Sequence, residues 1–195
     1  MKVCSLASGS SGNSLYLETK YSKILIDAGI SFRQIKLRLQ KLNVNIDELD
    51  AVVVSHEHSD HTHAIRKLNI PVFVSNSTVE LWKDDVSNLH EFDSEASFRL
   101  NDLTITPFSV PHDAIDPVGF TVDNGSKKMG IVTDIGSVTG LVVDKLNGCN
   151  ILIIESNHDS ETLMYSSYPW PLKQRIKGRL GHLSNEQASE LLNKV

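Results

Sequence analysis

The chain has 195 residues, 40% of them hydrophobic and 22% charged, with a formal net charge of −5 at pH 7. That length suits one domain with its own core, and the acidic balance excludes a whole surface that grips nucleic acid by charge, though not a local basic patch. The two cysteines, Cys4 and Cys149, lie far apart in apolar settings, so reduced thiols in a cytoplasmic protein are expected; no apolar run reaches the ~18 residues of a membrane span, and the first residues lack the apolar stretch of a signal peptide.

In chain order, Lys2–Leu6 reads as a short strand, followed by the Gly- and Ser-rich turn 7-ASGSSGNS-14. Ser14–Glu18 and Lys23–Asp27 read as strands joined by a hairpin turn near Lys20–Ser22. Ser31 is a good N-cap for a helix over Phe32–Leu42, in which Ile35, Leu39 and Leu42 share one face. The β-branched run 50-DAVVVS-55 predicts a buried strand. A short helix over Thr62–Leu68, a strand over Pro71–Ser75 and a helix over Thr78–Asp84 are expected next. Leu103–Ser109, Val118–Val122, Lys128–Thr133 and Asn150–Glu155 predict four further strands, with a helix over Gly136–Leu146 between the last two. Ser184–Gln187 has the form of a capping box, and Ala188, Leu191, Leu192 and Val195 follow at helical spacing. Interspersed strands and helices of this kind predict a single α+β domain over residues 1–195, with two packed sheets and helices on the outer faces. In such an alternation a strand is expected after the final helix.

The stretch 53-VVSHEHSDHTHAI-65 holds four histidines, a glutamate and an aspartate directly after the buried strand. In an extended segment residues two apart project the same way, so His56 and His58 can bind one ion. A turn at Asp60 and His61 can aim both at a second. Imidazole and carboxylate donors suit zinc, and also manganese or iron. Two such ions about 3.5–4 Å apart activate a water for hydrolysis. Glu57, Ser59 and His63 alternate with these residues and are expected to face away or to support them.

The H-E-H-S-D-H segment resembles the H-x-H-x-D-H signature of the metallo-β-lactamase superfamily. The resemblance implies that superfamily's αββα sandwich and two divalent ions. It implies a supporting role for Asp27 in 24-ILIDAG-29, a metal ligand at His112 in 108-FSVPHDAID-116, and a bridging ligand at Asp134 in 129-MGIVTDIGS-137. Further segments, SGSSGNS, TDIG, ESNHD and GHLSN, resemble the nuclease-like YycJ (WalJ) subgroup. That resemblance implies a metal-dependent 5′ to 3′ exonuclease with DNA as its substrate and a role in DNA repair. Asp60 would then hold a metal and orient the water, and His182, with Glu155 beside it, would protonate the leaving oxygen. The superfamily supplies one more histidine from a late strand. Either that strand lies beyond residue 195, which leaves the second ion a ligand short and loosely held, or His182 is itself the ligand. Alternatives are a thioester or lactam hydrolase of the same superfamily, and a binding protein impaired in catalysis.

Two other segments are candidate substrate contacts. The stretch 168-YPWPLKQRIKGRLG-181 gathers Lys173, Arg175, Lys177 and Arg179 beside Tyr168 and Trp170, a pairing that can grip phosphates and stack a base, although a solvated helix face gives the same pattern. The turn 8-SGSSGN-13, with Ser10 and Asn13, is rich in donors and can bind phosphate, although a tight strand connection reads the same way. Oligomeric state is not legible.

Overall fold

The computed structural model describes residues 1–195, and two β-sheets packed face to face organise it. The first sheet contains β1 (Lys2–Ala7), β2 (Ser14–Glu18), β3 (Lys23–Ile26), β4 (Ala51–Val53), β5 (Val72–Ser75) and β6 (Leu89–Phe92), in that spatial order. The second contains β7 (Phe98–Leu100), β8 (Leu103–Ser109), β9 (Val118–Asp123), β10 (Lys128–Val132) and β11 (Ile151–Ile154), ordered β11-β10-β9-β8-β7. Neighbours joined by tight turns are antiparallel, as in β2–β3 and β9–β10. Those joined by crossovers, β3–β4, β4–β5, β5–β6 and β10–β11, are parallel.

The period-2 alternation of the strands explains the layering. Ile24, Ile26, Ala51 and Val53 face inward and meet Ile105, Phe120, Val122, Met129 and Ile131 of the other sheet. Their neighbours Leu25, Val52 and Val54 face outward and pack on Ile35 and Leu39 of α1 (Phe32–Gln40). On the far face of the second sheet, Phe108 and Val132 pack on Val142 and Leu146 of α3 (Gly140–Leu146) and Leu191 of α6 (Asn185–Leu192). Each such side chain, fully buried, contributes about 1.5–3 kcal/mol. The expected sandwich with outer helices is what forms.

Several elements differ from expectation. The helix expected at Thr62–Leu68 starts earlier, as α2 (Ser59–Thr62), with a separate 3₁₀ turn at Ile65–Lys67. The break comes because Ala64 N–H is taken by Ala28 O at 2.9 Å, which ties the segment to the end of β3. At Thr78–Asp84 only a 3₁₀ turn forms, over Val79–Leu81, and it tucks Trp82 into the outer core. The helix expected from Gly136 begins at Gly140, because Gly136 N–H bonds to Pro111 O (2.7 Å) and Thr139 supplies the cap. The edge strands β6 and β7 were not expected, being short and half polar, and Phe98 holds them in place by stacking on Phe73 and Phe92. Two unforeseen helices, α4 (Ser160–Tyr165) and α5 (Trp170–Lys177), follow β11. The final helix has the expected capping box, Ser184 with Gln187; it buries Ala188 and Leu191, and Leu191 packs against the second sheet.

Candidate metal centre and its cleft

Each candidate ligand, with Asp27 and Glu155, stands in a segment that follows the C-terminal end of a strand. Asp27 follows β3, the His56–His61 segment follows β4, His112 follows β8, Asp134 follows β10 and Glu155 follows β11. A rigid sandwich thus presents short loops at one rim. His56, His58, His112 and Asp134 form one group of donors, Asp60, His61 and Asp134 a second, and Asp134, Glu155 and His182 a third; within each, the donor atoms lie within 4.8 Å of one another. In the first, His56 Nε2 is 3.1 Å from His58 Nδ1 and 3.5 Å from Asp134 Oδ2. His112 Nε2 is 3.4 Å from His58 Nδ1 and 3.5 Å from Asp134 Oδ2. These spacings fit the edges, about 3.4 Å, of a tetrahedron of nitrogen and oxygen donors around a small divalent ion. In the second group, His61 Nε2 is 3.2 Å from Asp134 Oδ2 and 3.8 Å from Asp60 Oδ2. One carboxylate oxygen of Asp134 therefore belongs to both the first and the second group.

The far sides of the rings are anchored. His61 Nδ1 is 2.8 Å from Asp27 Oδ2, and Asp27 also accepts from Ser55 N–H (2.7 Å) and Ser55 Oγ (2.9 Å). His56 Nδ1 meets Ser55 Oγ at 3.0 Å, and His112 Nδ1 meets Gly181 O at 3.1 Å. Such partners fix tautomer and ring orientation and leave the inward nitrogen free to bind a cation. Asp27 lies just outside β3 with φ 62° and is fully buried, so its place in the chain is set by this supporting role.

The electrostatics point the same way. Burial and the neighbouring His61 push His56 down to about 2, and burial lowers His112. Both rings are therefore neutral, the state that binds metal. Burial opposes charge on His61, but the carboxylates of Asp27 and Asp134 outweigh it and raise the ring to about 10, so this ring carries a proton that a cation bound at Nε2 would displace. Burial likewise opposes charge on Asp134, yet the hydrogen bond and charge of His61 hold it well below the usual carboxylate range. A buried anion flanked by imidazoles is a donor set suited to a divalent cation.

Beside this centre, His182 Nδ1 bonds to Glu155 Oε1 at 2.6 Å, and Glu155 Oε2 accepts from Ile135 N–H (3.1 Å) and Leu183 N–H (3.2 Å). Burial raises the Glu155 carboxyl. Burial opposes charge on His182, but Glu155 wins and raises it above its ordinary value. With Nδ1 engaged, Nε2 is the nitrogen left for proton transfer.

The centre opens into a cleft of about 870 Å³ whose walls include Ser10, Asp60, Asp113, Tyr168, Arg175 and His182. Arg175 lines the cleft, its Nε bonded to Asp113 Oδ2 at 2.7 Å. Lys173 does not: its ammonium donates to the carbonyls of Met164 (2.6 Å) and Ser166 (2.8 Å), closing the end of α4. Asn13 is held inside the centre, its Oδ1 accepting from Gly9 N–H (3.0 Å) and its Nδ2 lying 3.0 Å from His61 Nε2. The Gly- and Ser-rich turn is knitted to the metal loop by Asn13 N–H to Asp60 O (2.7 Å) and Gly29 N–H to Asn13 O (2.8 Å). Sequence reasoning missed Asp113 as the partner of Arg175, although its place directly after His112 was a usable signal. Glu57, expected to face away or to support the ligands, accepts from Ile115 N–H (2.9 Å) and pins the His112 loop.

Comparisons with known proteins agree with this geometry. Residues 22–195 match the model of the beta-lactamase superfamily domain. The chain is 39% identical over 202 residues to "Exodeoxyribonuclease WalJ" of Streptococcus pneumoniae serotype 2 (strain D39 / NCTC 7466), covering 98% of this chain and 75% of that protein. It is 34% identical over 194 residues to "Exodeoxyribonuclease YycJ" of Bacillus anthracis, covering 94% and 73%. Among solved structures, Zn(2+)-bound PqqB from Methylobacterium extorquens aligns with a TM-score of 0.74 at 16% identity, covering 97% of this chain and 84% of that one. The short form of human tRNase Z aligns with a TM-score of 0.73 at 18% identity, covering 100% and 88%. With its two-sheet sandwich, its rim of histidines and aspartates and these relatives, the chain belongs to the beta-lactamase superfamily and has the metallo-β-lactamase fold.

Proposed function

We propose that this protein is a metal-dependent DNA exonuclease of 5′ to 3′ polarity that holds two divalent ions, zinc or manganese. The observation that carries the reading is the position of Asp134 Oδ2 between two donor groups, with the His182–Glu155 pair on the same cleft. His56, His58, His112 and Asp134 would hold one ion, and Asp60, His61 and Asp134 the other. When bound, the ions acidify water and neutralise charge on the phosphoryl oxygens. Asp60 orients the attacking water. With one of its protons released to solvent, the water oxygen joins phosphorus as the bond to the leaving oxygen breaks, and that oxygen takes its proton from His182 Nε2. Glu155 keeps His182 protonated and correctly turned. Arg175 exchanges Asp113 for a substrate phosphate. DNA is supported by the names of the two relatives and by Arg175 and Tyr168 in the cleft wall, which suit a phosphodiester better than the acyl chain of a thioester.

Linear duplex DNA labelled at one end tests this. Manganese-dependent release of label is expected from the native chain and not from His58→Ala, and the end from which label leaves first gives the polarity. Equal digestion by both proteins would overturn the reading.

The acid role has a pH signature. A general acid must be protonated, so activity is lost as pH rises through the raised pKa of His182. Glu155→Gln removes the charge that raises it, so the alkaline limb of the rate profile should move to lower pH. His182→Ala should cost about 10²–10⁴-fold in turnover. A profile unmoved by Glu155→Gln would contradict the assignment.

A further inference from the structure

The cleft is larger than a phosphate and two ions require. At about 870 Å³ it falls within the range, about 300–1,000 Å³, of pockets that take whole small molecules. One wall is built from α4, the 166–169 connection and α5. That wall presents the half-exposed ring of Tyr168, the aliphatic side chains of Leu163, Leu172 and Ile176, and the hydroxyl of Thr162, while Asn157, ahead of α4, also lines the cleft and donates its Nδ2 to Glu155 Oε1 (3.3 Å). Trp170, the other aromatic of this segment, is 57% exposed and lies outside the cleft lining, so the structure distinguishes two rings that the sequence could not. A tyrosine ring among aliphatic side chains, bordered by amide and hydroxyl groups, matches one chemical class, a heteroaromatic ring with a hydrogen-bonding edge.

We propose that this wall is a subsite for the nucleobase of the strand end being cleaved, with Tyr168 stacking on its face and Asn157 and Thr162 meeting its polar edge. The inference rests on the phosphodiesterase reading, because it takes the phosphate of the same nucleotide to lie at the ion centre. Stacking on an aromatic side chain tolerates every base, so the subsite gives grip at the end of the strand without sequence preference. Arg175, on the same helix as Leu172 and Ile176, stands beside this wall and toward Asp113, where a sugar-phosphate backbone would pass.

Mononucleotides test the subsite without any bond being cleaved. Binding of deoxyadenosine monophosphate and of 2-deoxyribose 5-phosphate to the manganese-loaded protein is measured by calorimetry. The nucleotide should bind about tenfold or more tightly than the sugar phosphate. Tyr168→Ala should erase that ratio while leaving sugar-phosphate affinity unchanged, and Tyr168→Phe should keep it. Equal affinities in the native protein, or a ratio that survives Tyr168→Ala, would overturn the proposal. So would tighter binding of octanoate than of the nucleotide, which would mark an acyl site. The exonuclease reading fails on a separate observation, absence of DNA hydrolysis, so the two failures are distinguishable.

Discussion

Asp134→Asn is expected to reduce DNA hydrolysis about a thousandfold or more and to weaken both ion sites together. Replacing a partner that merely supports a metal ligand typically costs 10–100-fold, roughly, in affinity or activity. Asp134 is in direct reach of His56, His61 and His112 at 3.5, 3.2 and 3.5 Å, so its charge serves every nitrogen of the centre except that of His58. The amide keeps the shape and loses the charge, which separates electrostatics from packing. His58→Ala, by contrast, removes a donor from the first group only. Metal content measured on both variants should show Asp134→Asn losing more than His58→Ala. A variant that keeps its full metal content and activity would remove Asp134 from the centre.

The second large effect is structural and comes from a residue with no side chain. A Cβ on Gly29 would lie 1.5 Å from Asp60 O and 2.7 Å from Asn13 N. No side-chain rotation relieves that, because both neighbours are backbone. Gly29→Ala must push apart the turn that carries Asn13 and the helix that carries Asp60 and His61. The cost is expected at about 3 kcal/mol or more, the upper end for overpacking, which lowers the melting temperature by about 6–12 °C for a chain of this size. Affinity at the Asp60–His61 group should fall with it. Gly140→Ala, with open space around its Cβ, is the control and should stay within about 0.5 kcal/mol of the native chain. Equal melting temperatures for the two variants would show that the contact between the Gly- and Ser-rich turn and the metal loop is not maintained in solution.

What the sequence made legible follows from locality. Strand runs such as Lys23–Asp27 and 50-DAVVVS-55 announce themselves as short continuous apolar stretches, and the structure buries both of their faces, one in each core. His56, His58, Asp60 and His61 announce themselves because four donors fall within six residues. His112 and Asp134 needed the resemblance, since a lone histidine or aspartate after a strand has no local signal. Pairings across the chain were harder. Asn13 meets His61 across 48 residues and Arg175 meets Asp113 across 62, and no pattern near either partner records the contact. Lys173 shows the converse error: its charge suggested a phosphate contact, but one helical position decides which way a side chain points, and that position turns it to the carbonyls of α4. The edge strands β6 and β7 escaped notice because their exposed positions carry polar residues and the stacking of Phe98 on Phe73 and Phe92 is tertiary.

The central claim is that Asp134 joins two ion sites of unequal strength. The first group offers three imidazoles and a carboxylate, while the second offers one imidazole and two carboxylates, one of them shared. The most direct measurement is calorimetric titration of metal-free protein with zinc, followed by manganese in a separate run. Two binding events per chain are expected, one tight and one weaker, both greatly weakened in Asp134→Asn. A single event, two events of equal affinity, or a native titration unchanged by Asp134→Asn would contradict the account.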